Sequence, residues 1–184
     1  MGTNKALINF KGKTFLEHQI ELLKGLFNEV IISANSPETY KDFNVPIVVD
    51  TYHDKGPLGG IYTGLLNSKS YHTFILACDM PFVQINLINK LKSFTKDSDK
   101  NVYDVVIPEN KGQLEPLHAF YSKACISPIK TQIETGNLKV SDFFSLVKVR
   151  KVKFNIAADI KIYKNNPLTN VNTRDELNAL KDYS

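Results

Sequence analysis

Apolar and polar positions follow two rhythms along this chain. Leu16, Ile20, Leu23 and Phe27 fall on one face of a helix, and Thr14-Phe15-Leu16-Glu17 ahead of them is a capping-box pattern. Val30-Ile31-Ile32-Ser33 is a continuous apolar run that suits a buried strand, and Ala34-Asn35-Ser36-Pro37 is a turn signal. Ile47-Val48-Val49 predicts a second strand, ending at Asp50. Gly56-Pro57-Leu58-Gly59-Gly60 punctuates, and a helix is expected from about Ile61 to Asn67. Thr73 to Cys78 predicts a third strand, ending at Asp79, and Ile85, Ile88 and Leu91 carry the next helix.

The second half continues in the same way. A polar connection, Lys96 to Asn101, leads to strands at Val105-Val106-Ile107 and Leu117 to Tyr121. Ile126 to Thr135 is a helix stopped by Gly136, Val149 to Phe154 alternates as a strand, and Thr173 to Leu180 is a closing helix with an N-cap. Strands alternating with helices imply an α/β fold with a mostly parallel sheet covered on both faces. The 184 residues fit one domain, 1–184, and Asn165-Asn166-Pro167 is a surface loop rather than a boundary.

Composition narrows the class. Hydrophobic residues make up 42% and charged residues 23%, which is ordinary for a soluble globular chain. No apolar run reaches the roughly 20 residues of a membrane span, and the start lacks a secretory signal, so the cytoplasm is expected. The net charge of +4 is spread over lysines, with Arg150 and Arg174 the only arginines. Without a basic cluster interleaved with aromatics, no nucleic-acid partner is expected; an anionic small substrate fits as well as a solvated lysine surface. Cys78 and Cys125 match no zinc or redox spacing, and Cys78 reads as a small buried residue.

Three successive strands end on Asn35, Asp50 and Asp79. Ligands of open α/β sheets bind outside the carboxyl ends of strands. Each residue also has a local reading: Asn35 as a turn former, Asp50 as a turn cap, Asp79 as an acceptor for the N–H groups of Met80-Pro81-Phe82. Together they point to one edge. A carboxylate there suits magnesium, which takes one or two protein carboxylates plus substrate phosphates. The glycines around Gly59 would let an anion approach a helix start. Neither a nucleophile nor its activating base is evident. His18, His53 and His72 read as surface or packing residues, whereas His118, in Glu115-Pro116-Leu117-His118, has a site-like context.

The ordered motifs resemble the molybdenum cofactor guanylyltransferases, members of the Rossmann-like nucleotidyltransferases. They are Met1-Gly2-Thr3-Asn4-Lys5, Ile32-Ser33-Ala34-Asn35, Val49-Asp50-Thr51, Gly56-Pro57-Leu58-Gly59-Gly60, Cys78-Asp79-Met80-Pro81-Phe82, Glu115-Pro116-Leu117-His118-Ala119 and Asn170-Val171-Asn172-Thr173. Arg174 stands where the family has proline. The resemblance implies a three-layer fold, transfer of GMP from GTP to molybdopterin or its molybdenum form, release of pyrophosphate, and a requirement for magnesium. By the same resemblance Lys5 contacts the phosphates, Asn35, Asp50 and Gly59 lie in the GTP site, and Asp79 holds magnesium. Glu115, His118, Asn170 and Asn172 lie toward the pterin or support the shared cleft. Transient contact with cofactor-biosynthesis or acceptor proteins is also implied.

The family opens with a hydrophobic strand and an LAGG-x-S-x-R loop that cradles the triphosphate. This sequence starts at Met1-Gly2, where that loop ends. The resemblance therefore places the strand and loop upstream of Met1. Competing readings are a cytidylyltransferase, a nucleotidyltransferase for a sugar or alcohol phosphate, and an inactive nucleotide-binding remnant.

Overall fold

The structure, a computed structural model, describes residues 4–96, 102–154 and 166–171. The expected closing helix, most of the polar connection after Lys96, and Asn172 lie outside the described residues. The chain opens with a hairpin, β1 (Asn9–Phe10) and β2 (Lys13–Thr14), turned by Lys11 and Gly12 at φ 52° and 83°. Positive φ at both loop residues matches strand twist, and glycine bears it without strain. Helix α1 (Phe15–Lys24) follows, with the expected capping box: Glu17 N–H donates to Thr14 Oγ1, and Thr14 N–H donates to the Glu17 carboxylate.

Strands β3 (Ile32–Ala34) and β4 (Ile47–Val49) pair in parallel, Ile32 opposite Ile47. Helix α2 (Gly56–Asn67) begins at the glycines, not at Ile61. Pro57 in its first turn explains the difference, since no intrahelical partner is lost where proline lacks an N–H. Next come β5 (His72–Leu76), α3 (Ile85–Ser93), β6 (Val105–Asn110), β7 (Gln113–Leu114), β8 (His118–Ser122), α4 (Ile126–Glu134) and β9 (Val149–Lys153).

The larger sheet runs β5-β8-β6-β7, with β9 parallel on β6. The expected parallel pairing holds at β3–β4 and β6–β9, while β8 runs antiparallel to both β5 and β6. The cause is local. Lys111 and Gly112, at φ 49° and 82°, turn β6 straight back into β7, and such a short loop can join only antiparallel strands. Side chains then alternate between two faces. Val105, Ile107, Ala119 and Tyr121 pack with Leu58, Ile61 and Leu65 of α2 and Ile129 and Ile133 of α4. Val106, Phe120 and Val152 pack with Leu87, Ile88 and Leu91 of α3. The result is three layers. Among the described residues no helix is long and apolar enough to cross a membrane.

The other edge of β5 faces β3 across a cleft of about 630 Å³, with α1 on one wall and α2 on the other. Ala77 N–H donates to Leu117 and Lys123 N–H donates to Tyr71. Antiparallel alternation therefore points the polar groups of Thr73 and Ile75 at β8 and those of His72, Phe74 and Leu76 into the cleft. Ile32 N–H donates to Pro46, the residue before β4, so those of Ile31 and Ser33 face the cleft from the opposite side.

Candidate functional site

The ladder of β5 ends with the Ala77–Leu117 bond at 2.9 Å, and the chain leaves the sheet through Cys78-Asp79-Met80-Pro81. Two ties hold this exit. Gln19 of α1 donates from Nε2 to the carbonyls of Ala77 and Met80, each at 2.9 Å, and Val171 N–H donates to the Asp79 carbonyl at 2.9 Å. The Asp79 carboxylate, partly exposed, meets Lys5 Nζ at 3.5 Å. Lys5 opens a 3-10 turn, Lys5–Leu7, whose N-cap Asn4 accepts from Ala6 N–H; Ala6 is fully buried against Leu16 and Ile20 of α1.

Asn35 and Asp50 follow the paired residues Ala34 and Val49, so the parallel register sets them at the same end of β3–β4. Asp50 accepts from the Ser33 hydroxyl, and Asn35 Oδ1 lies 3.3 Å from His53 Nδ1. Behind Asp50, Thr51 N–H donates to the buried Thr63 hydroxyl of α2 at 2.9 Å. Gly59 is buried, and a Cβ there would sit 3.0 Å from the Tyr52 carbonyl oxygen. Its smallness lets the loop after Asp50 lie on α2.

Glu115 accepts from Leu117 N–H, yet its carboxyl lies above the ordinary range; desolvation is the main cause and the charge of Asp79 adds to it. The Asp79 charge thus reaches Glu115. Glu115 also lines a second cavity of about 640 Å³ with Asn110, Lys139, Ser141 and Asn166. The buried Oδ1 atoms of Asn110 and Asn170 have no partner among the described residues, and Asn170 directly precedes the Val171 that binds Asp79.

The structure places His118 and corrects Cys78. His118 does not reach the cleft surface: it is fully buried, edge-on to Phe74 with ring centroids 5.1 Å apart, because β8 is central and buried along its length. Burial lowers its pKa to about 3, and neither ring nitrogen has a partner among the described residues. Cys78 is exposed, not buried, because it stands beyond the last ladder bond at the cleft. Its thiol pKa is raised by desolvation first and by the Asp79 charge second. Gln19, Asn110 and Lys139 escaped the sequence reading. Gln19 had a signal, being a polar residue next to Ile20 on the apolar side of α1; the other two had none.

No group of three or more His, Cys, Asp or Glu able to hold a metal occurs among the described residues. A single carboxylate beside an ammonium nevertheless fits magnesium, because that ion keeps several waters and draws its remaining ligands from substrate phosphates.

A sheet sandwiched by helices, with polar residues gathered where strands end, is the architecture of nucleotide-binding α/β proteins. Residues 1–148 match the MobA-like NTP transferase domain, and the chain belongs to that family. It is 35% identical over 187 residues to a "Probable molybdenum cofactor guanylyltransferase" of Natranaerobius thermophilus, covering 100% of this chain and 89% of that one. It is 30% identical to a "Molybdenum cofactor guanylyltransferase" of Desulfosudis oleivorans, covering 96% and 85%. The fold matches the crystal structure of molybdopterin-guanine dinucleotide biosynthesis protein A from Archaeoglobus fulgidus with a TM-score of 0.79 at 22% identity, covering 99% and 91%.

Proposed function

We propose that this chain transfers GMP from GTP to molybdopterin or its molybdenum form, yielding the guanine dinucleotide cofactor and pyrophosphate. The observation that carries the chemistry is the Lys5–Asp79 pair at the exit of β5, 3.5 Å apart. A lysine suited to phosphate and a carboxylate suited to magnesium would act side by side there. The choice of GTP and molybdopterin rests on the similarity to guanylyltransferases.

An oxygen of the pterin's terminal phosphate bonds to the α-phosphorus of GTP, the bond to the β-bridging oxygen breaks, and pyrophosphate leaves with the electron pair. Such transfer needs positioning and charge neutralisation more than covalent catalysis. Lys5 would bind the phosphates. Asn35 and Asp50 would hold base and ribose beside the loop that Gly59 admits. Glu115, Asn110, Lys139 and Asn170 would present the acceptor from the second cavity. Magnesium, held by Asp79, would supply charge neutralisation to phosphate oxygens when bound. The β3–β5 cleft would be closed by one further strand.

The test is an assay with molybdopterin and magnesium, GTP against CTP, following pyrophosphate. GTP-dependent release with a guanine dinucleotide product supports the reading. Product with CTP alone gives a cytidylyltransferase, and no product with either returns the chain to a binding role.

A further inference from the structure

Where a strand leaves its sheet, each freed carbonyl needs a new partner. At the end of β5 that partner is Gln19, which comes from another element and spans 58 and 61 residues of sequence. Its side chain is buried, with 5% of the residue exposed. Both bonds leave from Nε2, and the orientation follows from chemistry: turned over, the amide would set its own oxygen against two carbonyl oxygens. The two bonded carbonyls, of Ala77 and Met80, bracket Cys78 and Asp79, and Val171 N–H secures the Asp79 carbonyl between them.

Helix α1 also fixes the other half of the pair. Leu16 and Ile20, on either side of Gln19 in sequence, pack against Ala6, the residue after Lys5. One helix therefore sets both the backbone that carries the Asp79 carboxylate and the turn that carries Lys5.

We propose that Gln19 is a positioning residue for Asp79. Its amide replaces the lost sheet ladder and fixes the direction of the carboxylate toward the metal and the phosphates. The proposal rests on the guanylyltransferase reading. It predicts that loss of the Gln19 bonds weakens divalent-cation binding beyond any loss of stability, since residues that orient a ligand carry about 10–100-fold in metal affinity.

The experiment compares Gln19→Met with Gln132→Met. Gln132 on α4 is likewise buried and likewise donates to a backbone carbonyl, that of Lys139 at 2.7 Å, so it reproduces the structural loss elsewhere. Two readings are taken on each full chain. One is the alkylation rate of Cys78, an exposed thiol inside the bracketed segment, while Cys125 stays buried and silent. The other is Mn2+ binding in the presence of a non-hydrolysable GTP analogue, followed by the spin-resonance signal of free Mn2+.

Gln19→Met is expected to speed Cys78 alkylation and weaken Mn2+ binding about tenfold or more, and Gln132→Met to do neither. If Gln19→Met does not fold, Gln19→Asn, one methylene shorter and still polar, is expected to show the same changes in smaller measure. Unchanged alkylation and Mn2+ binding in a folded Gln19 variant would overturn the proposal and leave Gln19 a structural tie. Failure of the unaltered chain to bind Mn2+ with the analogue would instead overturn the role of Asp79 as metal holder, and the positioning role of Gln19 with it, while product in the GTP assay would still uphold the guanylyltransferase reading.

Discussion

The two edges of β5 live in different environments. Toward β8 the strand is laddered over five residue pairs, His72–Ser122 to Leu76–His118, and every β8 residue is buried. Toward β3 it pairs with no strand among the described residues, and all five β5 residues remain half-exposed. The closed flank carries stability. The open flank carries the polar residues, because carbonyls and carboxylates freed from a ladder are the ones a ligand can reach. The strand closure proposed above would pair the bare groups of His72, Phe74 and Leu76 with those of Ile31 and Ser33 through one intervening segment.

The largest expected effect sets one flank against the other. Ile107→Ala, in the closed core at 0% exposure, is expected to cost about 2–5 kcal/mol of unfolding free energy. Ile31→Ala, half-exposed at the cleft, is expected to cost less than half as much, since little apolar area is buried there. Equal losses in urea unfolding would show that the cleft is already closed in solution.

Asp79→Asn is expected to lower magnesium-dependent transfer by about a hundredfold or more, roughly 2.7 kcal/mol, with the melting temperature unchanged. Unchanged turnover with an unchanged magnesium requirement would return Asp79 to the reading of a turn residue.

Amide exchange reads the edges directly. The amides of Thr73, Ile75 and Ala77 are expected to exchange more slowly than those of His72, Phe74 and Leu76. An apolar strand fused through a glycine-rich loop ahead of Met1 is expected to slow the second set and leave the first unchanged. Uniform exchange before fusion, or no slowing after it, would defeat the closure.

An effect confined to acid pH belongs to His118. Its folded pKa, about 3, lies below the ordinary value of 6.5, so the unfolded chain binds the extra proton first as pH falls. Stability is then expected to decline from about pH 6.5 toward pH 3, with a slope of up to about 1.4 kcal/mol per pH unit. His118→Phe removes the titrating group and should flatten that part of the profile. The same slope in the variant would place the titration elsewhere.

Much of this molecule was legible because its signals are local. The capping box before α1 and the apolar runs of β3, β4 and β5 need only neighbours in sequence, and the polar residue closing each run marks where a ladder stops. Antiparallel β8 was less legible, because its direction is set by the Lys111-Gly112 turn, and a Lys-Gly pair is a weaker hairpin signal than Asn-Gly.

What the sequence determined alone was the periodicity, and with it the elements, the α/β class and the strand ends that carry Asn35, Asp50 and Asp79. Tertiary structure decided which polar residues face a ligand, since burial depends on what lies across space. His118, one residue past the Glu115-Pro116-Leu117 turn, went into the core because β8 is walled on both sides, and Cys78, at the end of an apolar run, came to the surface because β5 is bare on one edge. Gln19, an unremarked position on an apolar helix face, closed onto Ala77 and Met80 because their carbonyls lie where the ladder of β5 has ended.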